Sequence, residues 1–172
     1  MQRLMRFLLA VILISLTLLA PQRALSQGTI IRAEPVGVPL NTGQTLEIAI
    51  RVENVTDLYA FDLEVHFNTA QLDVNSVVIG SFLDQGIKFS SIDHSNGIIE
   101  FANTQNNPST PKTGSGDLIV ITVEAQTNIE AVTLTITNAE LSDRDGFLIP
   151  CQIVNDGVFG YTTYLPLVIK NN

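Results

Sequence analysis

The chain has no tryptophan, one cysteine, two histidines and three tyrosines in 172 residues, and aromatic residues make up only 6% of it. Each scarcity closes a route. Cys151 stands alone, so no intramolecular disulfide can form. A nucleophilic cysteine needs a neighbouring base, and neither histidine is near it in sequence, so Cys151 reads as a small buried apolar residue. Binding to crystalline polysaccharide relies on flat aromatic platforms, and of the few rings here only Tyr161 and Tyr164 read as free to build one. Tyr59, Phe61 and Phe67 fall on the dry side of a strand. Cations are also few: nine Lys and Arg stand against 17 Asp and Glu, for a net charge of −8. Such a chain repels phosphate backbones and anionic headgroups, which excludes nucleic acid and favours a cationic partner or a bound cation. Missing too is helical spacing, which no segment after Gln27 holds for three turns.

The first 26 residues stand apart from the rest. Arg3 and Arg6 give a positive start, Phe7 to Ala20 is apolar, Pro21 breaks the run, and Ala24-Leu25-Ser26 supplies small residues for a signal peptidase. The run is shorter than the roughly 20 residues that span a bilayer. We therefore read residues 1–26 as a secretory signal cut before Gln27, with no membrane span in the mature chain. The protein is then secreted, and either free or held at the cell surface. Loss of Arg3, Arg6 and Arg23 moves the net charge from −8 to −11.

What the remainder does have is alternation. From Tyr59 to Phe67 every odd position is large and apolar, and the even ones include Asp62, Glu64 and His66. Successive side chains of a strand point to opposite faces, so this segment buries one side and wets the other. Leu46 to Val52 and Val132 to Ile136 repeat the pattern, while Leu118 to Ala125 is more continuously apolar, as a central strand would be. Ile87 to Ile92 and Ile98 to Asn103 flank the turn dipeptide Asn96-Gly97. Asp145-Gly146 and Asn155-Asp156-Gly157 mark further turns, the latter before a last run from Val158 to Tyr161. Thr69 to Leu72 is the one candidate for a single helical turn. About nine short strands at this spacing predict an all-β fold, an antiparallel sandwich over residues 27–161. The tail, residues 162–172, reads as an edge strand up to Pro166, a free end, or a sorting or anchoring tag.

Few residues offer chemistry. The wet stripe of Asp62, Glu64 and His66 is the leading site candidate, either a plain solvated strand face or a protein-binding one. Side chains two apart on a strand are roughly 7 Å apart, wide for one metal ion. Asp143-Arg144-Asp145-Gly146 starts like a calcium loop, but Phe147, Leu148 and Ile149 supply no side-chain oxygens. Turn chemistry accounts for it, and Asp143 and Asp145 stay as candidates only for a nonstandard calcium site completed by backbone carbonyls. No other cofactor is expected. Asp93 and His94 are neighbours in a turn, which is not the geometry of a Ser-His-Asp triad, and no pair of acids stands out for glycoside hydrolysis. Asn54-Val55-Thr56 is a glycosylation sequon, relevant only in a host that modifies exported proteins.

Two stretches resemble cohesin domains, the receptor modules of cellulosome scaffoldins. One is Phe61 to Val74, an alternating strand followed by a short polar turn. The other runs from Gly116-Asp117-Leu118 through Val132-Thr133-Leu134 and Leu141 to Gly146, ending at Asn155-Asp156-Gly157-Val158. With Leu46 to Val52, the resemblance covers nearly all of Gly28 to Tyr161, and related carbohydrate-binding modules share much of it. It implies a nine-stranded jelly roll, no catalysis, and a dockerin-bearing protein as partner. A dockerin is a small calcium-loaded helical module, docked on one flat sheet face. The family's contacting Asp falls at Asp62, whereas its Asn two residues earlier is replaced by Ala60. Polysaccharide, bound directly as by a carbohydrate-binding module, is the alternative ligand.

Overall fold

Nine strands and no helix make up residues 28–155, the part of the chain described by the computed structural model. They are β1 (Thr29–Glu34), β2 (Thr45–Leu58), β3 (Ala60–His66), β4 (Leu72–Ile79), β5 (Ile87–Asp93), β6 (Ile98–Thr104), β7 (Lys112–Ala125), β8 (Thr135–Ser142) and β9 (Cys151–Val154). Two sheets stack, one in the order β4-β7-β2-β1-β9 and the other β5-β6-β3-β8. The expected all-β sandwich is present, in an arrangement consistent with a jelly roll. All pairings are antiparallel except β1 with β9, which is parallel.

The core lies between the sheets and is built from the dry sides of the alternating strands. Ile48, Ile50 and Val52 of β2, Ile119, Ile121 and Val123 of β7, and Leu63 and Val65 of β3 are all fully buried. Phe61 and Phe101 stack across β3 and β6 with ring centroids 6.1 Å apart. The apolar run in β7 has a specific cause. Its register against β2 slips between Ile50 and Arg51, so that Ile50 faces Ile119 and Arg51 faces Asp117. The bulge turns Leu118 inward as well as Ile119, and both are fully buried. β7 also lies between two neighbours, as that run predicts.

Some boundaries fall elsewhere than the pattern predicts. Val132 and Leu134 are buried, but β8 begins only at Thr135. Before it the backbone pairs with the segment after β1, through Val132 N–H to Val38 O at 2.9 Å. Asn96-Gly97 belongs to a four-residue turn, because the β5–β6 register ends at Asp93 opposite Ile98. Asp93 accepts the backbone N–H groups of Ser95 and Asn96 there, and Gly97 takes a positive φ of 70°. Thr69 to Leu72 is a single turn closed on Asn68, not a helix. β9 is a separate short strand, while Val158 to Tyr161 and the whole tail lie outside the described residues.

The loop between β4 and β5 sets where the four-stranded sheet ends. Leu83 is fully buried and anchors it, and the Asn103 amide donates to Leu83 O at 2.8 Å and to Gln85 O at 3.3 Å. Gly86, at φ 125°, packs directly on the Thr104 carbonyl, where a Cβ would collide. The chain thus enters β5 at a fixed point on the rim of the sheet.

Candidate functional site

The outward side of the four-stranded sheet collects the residues that the alternation leaves wet. On β3, Phe61, Leu63 and Val65 are buried, whereas Asp62 is exposed and Glu64 and His66 are half-exposed. Sequence reasoning places this stripe correctly but says nothing of its neighbours. In the sheet Asp62 stands directly opposite Glu140 of β8, and Glu64 directly opposite Glu100 of β6. Directly opposed side chains have Cβ atoms about 4.5–5.5 Å apart, where like charges are unfavourable. The face therefore gathers four carboxylates in two adjacent rows.

Glu64 is the best supported of these acids. His66 Nε2 lies 2.8 Å from its Oε1, so tips two residues apart converge despite the strand spacing. The Thr137 hydroxyl donates to the same oxygen at 2.6 Å. Those hydrogen bonds, Thr137 first and His66 second, hold the Glu64 carboxyl below its ordinary value of 4.5. A carboxyl lowered by folding adds stability that is fully present above its ordinary value and is lost as pH falls through the lowered one. Thr137→Val removes the larger cause and is expected to raise the Glu64 pKa toward 4.5, read by side-chain carboxyl NMR through an acid titration. An unmoved titration would mean that the hydroxyl does not hold it.

Beside the carboxylates lies a depression of about 390 Å³. Ala60 and Ala102 form its floor, Ile87 and Phe89 of β5 one wall, and Leu148 of the β8–β9 loop the other. Asp62 and Glu140 stand at its rim. Ile87, Phe89 and Leu148 are 69%, 60% and 69% exposed, large apolar groups held in water. The far wall is braced by Arg144, which donates to Ser109 O at 2.8 Å and lies over the Tyr59 ring at 5.6 Å.

Sequence reasoning missed this concavity and named only Tyr161 and Tyr164 as free rings. Those two lie outside the described residues, and among the described residues the exposed rings are Phe89 and Phe147, the latter 70% exposed. A signal for β5 was present. Its apolar positions change parity, from Ile87 and Phe89 to Ile92, so the strand cannot keep all of them on one side. Ile92 packs on the core, which sends the other two outward.

The remaining candidates have other roles. Asp143 Oδ1 accepts the backbone N–H groups of Asp145 and Phe147, each at 2.9 Å, so this carboxylate shapes its own loop. Among the described residues no group of three His, Cys, Asp or Glu is placed to hold a metal ion. His94 Nδ1 lies 2.8 Å from Asp73 Oδ1, linking the β5–β6 turn to the other sheet rather than to Asp93. The Cys151 thiol is half-buried and within 3.5 Å of Ala139 O, and burial pushes its pKa up, away from the reactive thiolate. Among the described residues no helix is long and apolar enough to cross a membrane.

The family model of the cohesin domain matches residues 34–159. Among solved structures, the chain is similar to a non-cellulosomal cohesin from the archaeon Archaeoglobus fulgidus, at 19% identity and a TM-score of 0.63 over 74% of this chain and 86% of that one. A type II cohesin from Bacteroides cellulosolvens superposes at a TM-score of 0.65 with 16% identity, covering 73% and 95%. The type I cohesin–dockerin complex Coh-OlpC–Doc435 from Clostridium thermocellum gives a TM-score of 0.60 at 18% identity, covering 74% and 88%. Identities this low establish a shared fold. Among curated proteins none matches the chain.

Proposed function

The chain belongs to the cohesin family, and from that premise we propose that it is an exported, non-catalytic receptor whose outward four-stranded face docks a dockerin-bearing protein. One observation carries this reading: two like-charged carboxylate pairs, Asp62–Glu140 and Glu64–Glu100, lie beside an apolar depression. Carboxylates gathered on a water-exposed surface draw in a cationic partner. The depression accepts an apolar side chain at the same time. From β5 to β8 the face spans three strand spacings, about 14 Å, and a helix with its side chains is about 10–12 Å across. An amphipathic helix with one apolar stripe and flanking Lys or Arg fits that shape and charge.

Titration calorimetry against the calcium-loaded dockerins of the same genome tests the proposal. At least one is expected to bind, and Asp62→Ala is expected to weaken it about tenfold by removing a rim charge. Silence from every such dockerin would overturn the partner assignment. Export rests on residues 1–26, and the mass of the protein recovered from the medium is expected to correspond to a chain beginning at Gln27. A mass that includes the leader would refute cleavage.

A further inference from the structure

Among the described residues four strands lie at sheet edges, β4 and β9 in one sheet and β5 and β8 in the other. Unpaired edges invite another strand, and three of these four carry a visible defence. The β4 register breaks between Val74 and Ser76. That of β8 breaks opposite Glu64 and Val65, and the Asn155 side-chain amide occupies both Ile136 N–H and Ile136 O. β9 is four residues long. β5 differs from all three. It runs seven residues in unbroken register with β6, from Ile87 opposite Thr104 to Asp93 opposite Ile98, and contains no proline. Among the described residues it pairs with β6 alone. Its first four residues are exposed on both faces.

We propose that β5 pairs antiparallel with β5 of a second copy of this chain, joining the two four-stranded sheets into one of eight strands. A two-fold axis perpendicular to the sheet keeps both outward faces on one side, so odd residues meet odd residues. The register centred on Phe89 sets the two Phe89 rings side by side, with each Ile87 opposite Ser91 and each Lys88 opposite Ser90. In the register centred one residue earlier Lys88 would face Lys88, which like charge disfavours. The strand itself is neutral, carrying only Lys88 and Asp93 in a chain of net charge −8. The nearest outward carboxylate on β6 is Glu100, and the two copies of it stay three or more strand spacings apart. That is about 15 Å, beyond the screening length of about 8 Å in physiological salt. Pairing at β5 therefore keeps the two Glu100 carboxylates apart. It also lays the two docking faces side by side. The inference stands on the edge geometry and does not depend on what those faces bind.

Sedimentation equilibrium of the purified protein from about 1 µM to about 1 mM is the test. The expected result is a reversible monomer–dimer equilibrium that Phe89→Lys weakens by about tenfold or more. Val78→Lys, at another exposed apolar site (52%) on the bulged β4 edge, is expected to leave it unchanged. Far-UV circular dichroism confirms that both variants keep the β fold, since both side chains are exposed. A monomer across the whole range overturns the proposal and gives the edge to residues 156–172 or to another protein. A dimer insensitive to Phe89→Lys, or equally sensitive to Val78→Lys, overturns it as well.

Discussion

Leu63→Ala is expected to lower the free energy of unfolding by about 3–5 kcal/mol, measured by urea titration. Leu63 sits at the middle of β3, pairs with Phe101 on one side and Ala139 on the other, and is fully buried between the sheets. Truncation removes its apolar transfer energy and leaves a void that two hydrogen-bonded sheets cannot close by moving together. β3 is held on both sides by antiparallel ladders, so relaxation there is small and the cost belongs at the upper end of the range for such changes. A loss below about 1 kcal/mol would mean that the sheets slide to fill the space, contrary to this packing. The same strand carries the wet stripe, so the destabilised variant would also show how much docking depends on the rigidity of β3.

Ala102→Trp is expected to act in the opposite way, sparing the fold and removing the docking. Ala102 lies in one row with Phe89, Asp62 and Glu140, and its methyl group is part of the floor of the depression. An indole there fills the concavity from below. The substituted side chain points to solvent and meets no inward group, so unfolding should shift by no more than about 0.5 kcal/mol. Affinity for the dockerin partner is expected to fall by at least about 30-fold, the scale of a lost central contact. That exceeds the effect expected of Asp62→Ala, because a filled pocket excludes the partner whereas a missing rim charge only weakens it. Calorimetry and a urea titration on the same preparation separate the two effects. Unchanged binding would show that this face is not where the partner sits.

How far the sequence could be read varies by element. β3 was plain from Tyr59 to Phe67, since strict alternation beside a buried core leaves one orientation possible. The β5–β6 hairpin was plain from Asn96-Gly97, although the turn is two residues longer than that dipeptide suggests. The start of β8 was misplaced at Val132, because buried apolar residues at alternating positions look alike whether their backbone joins a long ladder or a short bridge. The acidic trio was found, but its significance was not. That the residue opposite Asp62 is Glu140 follows from a pairing 78 positions apart in the chain, which no local pattern contains.

By itself the sequence determined the secondary-structure type, the division of each strand into a dry and a wet side, the acidic surface and the leader-like first 26 residues. These are properties of single segments, set by a side-chain period of two and by composition. The tertiary structure alone decided that β8, β3, β6 and β5 lie side by side, that their carboxylates oppose one another, and that Leu148 and Phe89 wall one concavity. Strand order and register come from burying all the dry sides at once, a condition on the whole chain rather than on any stretch of it.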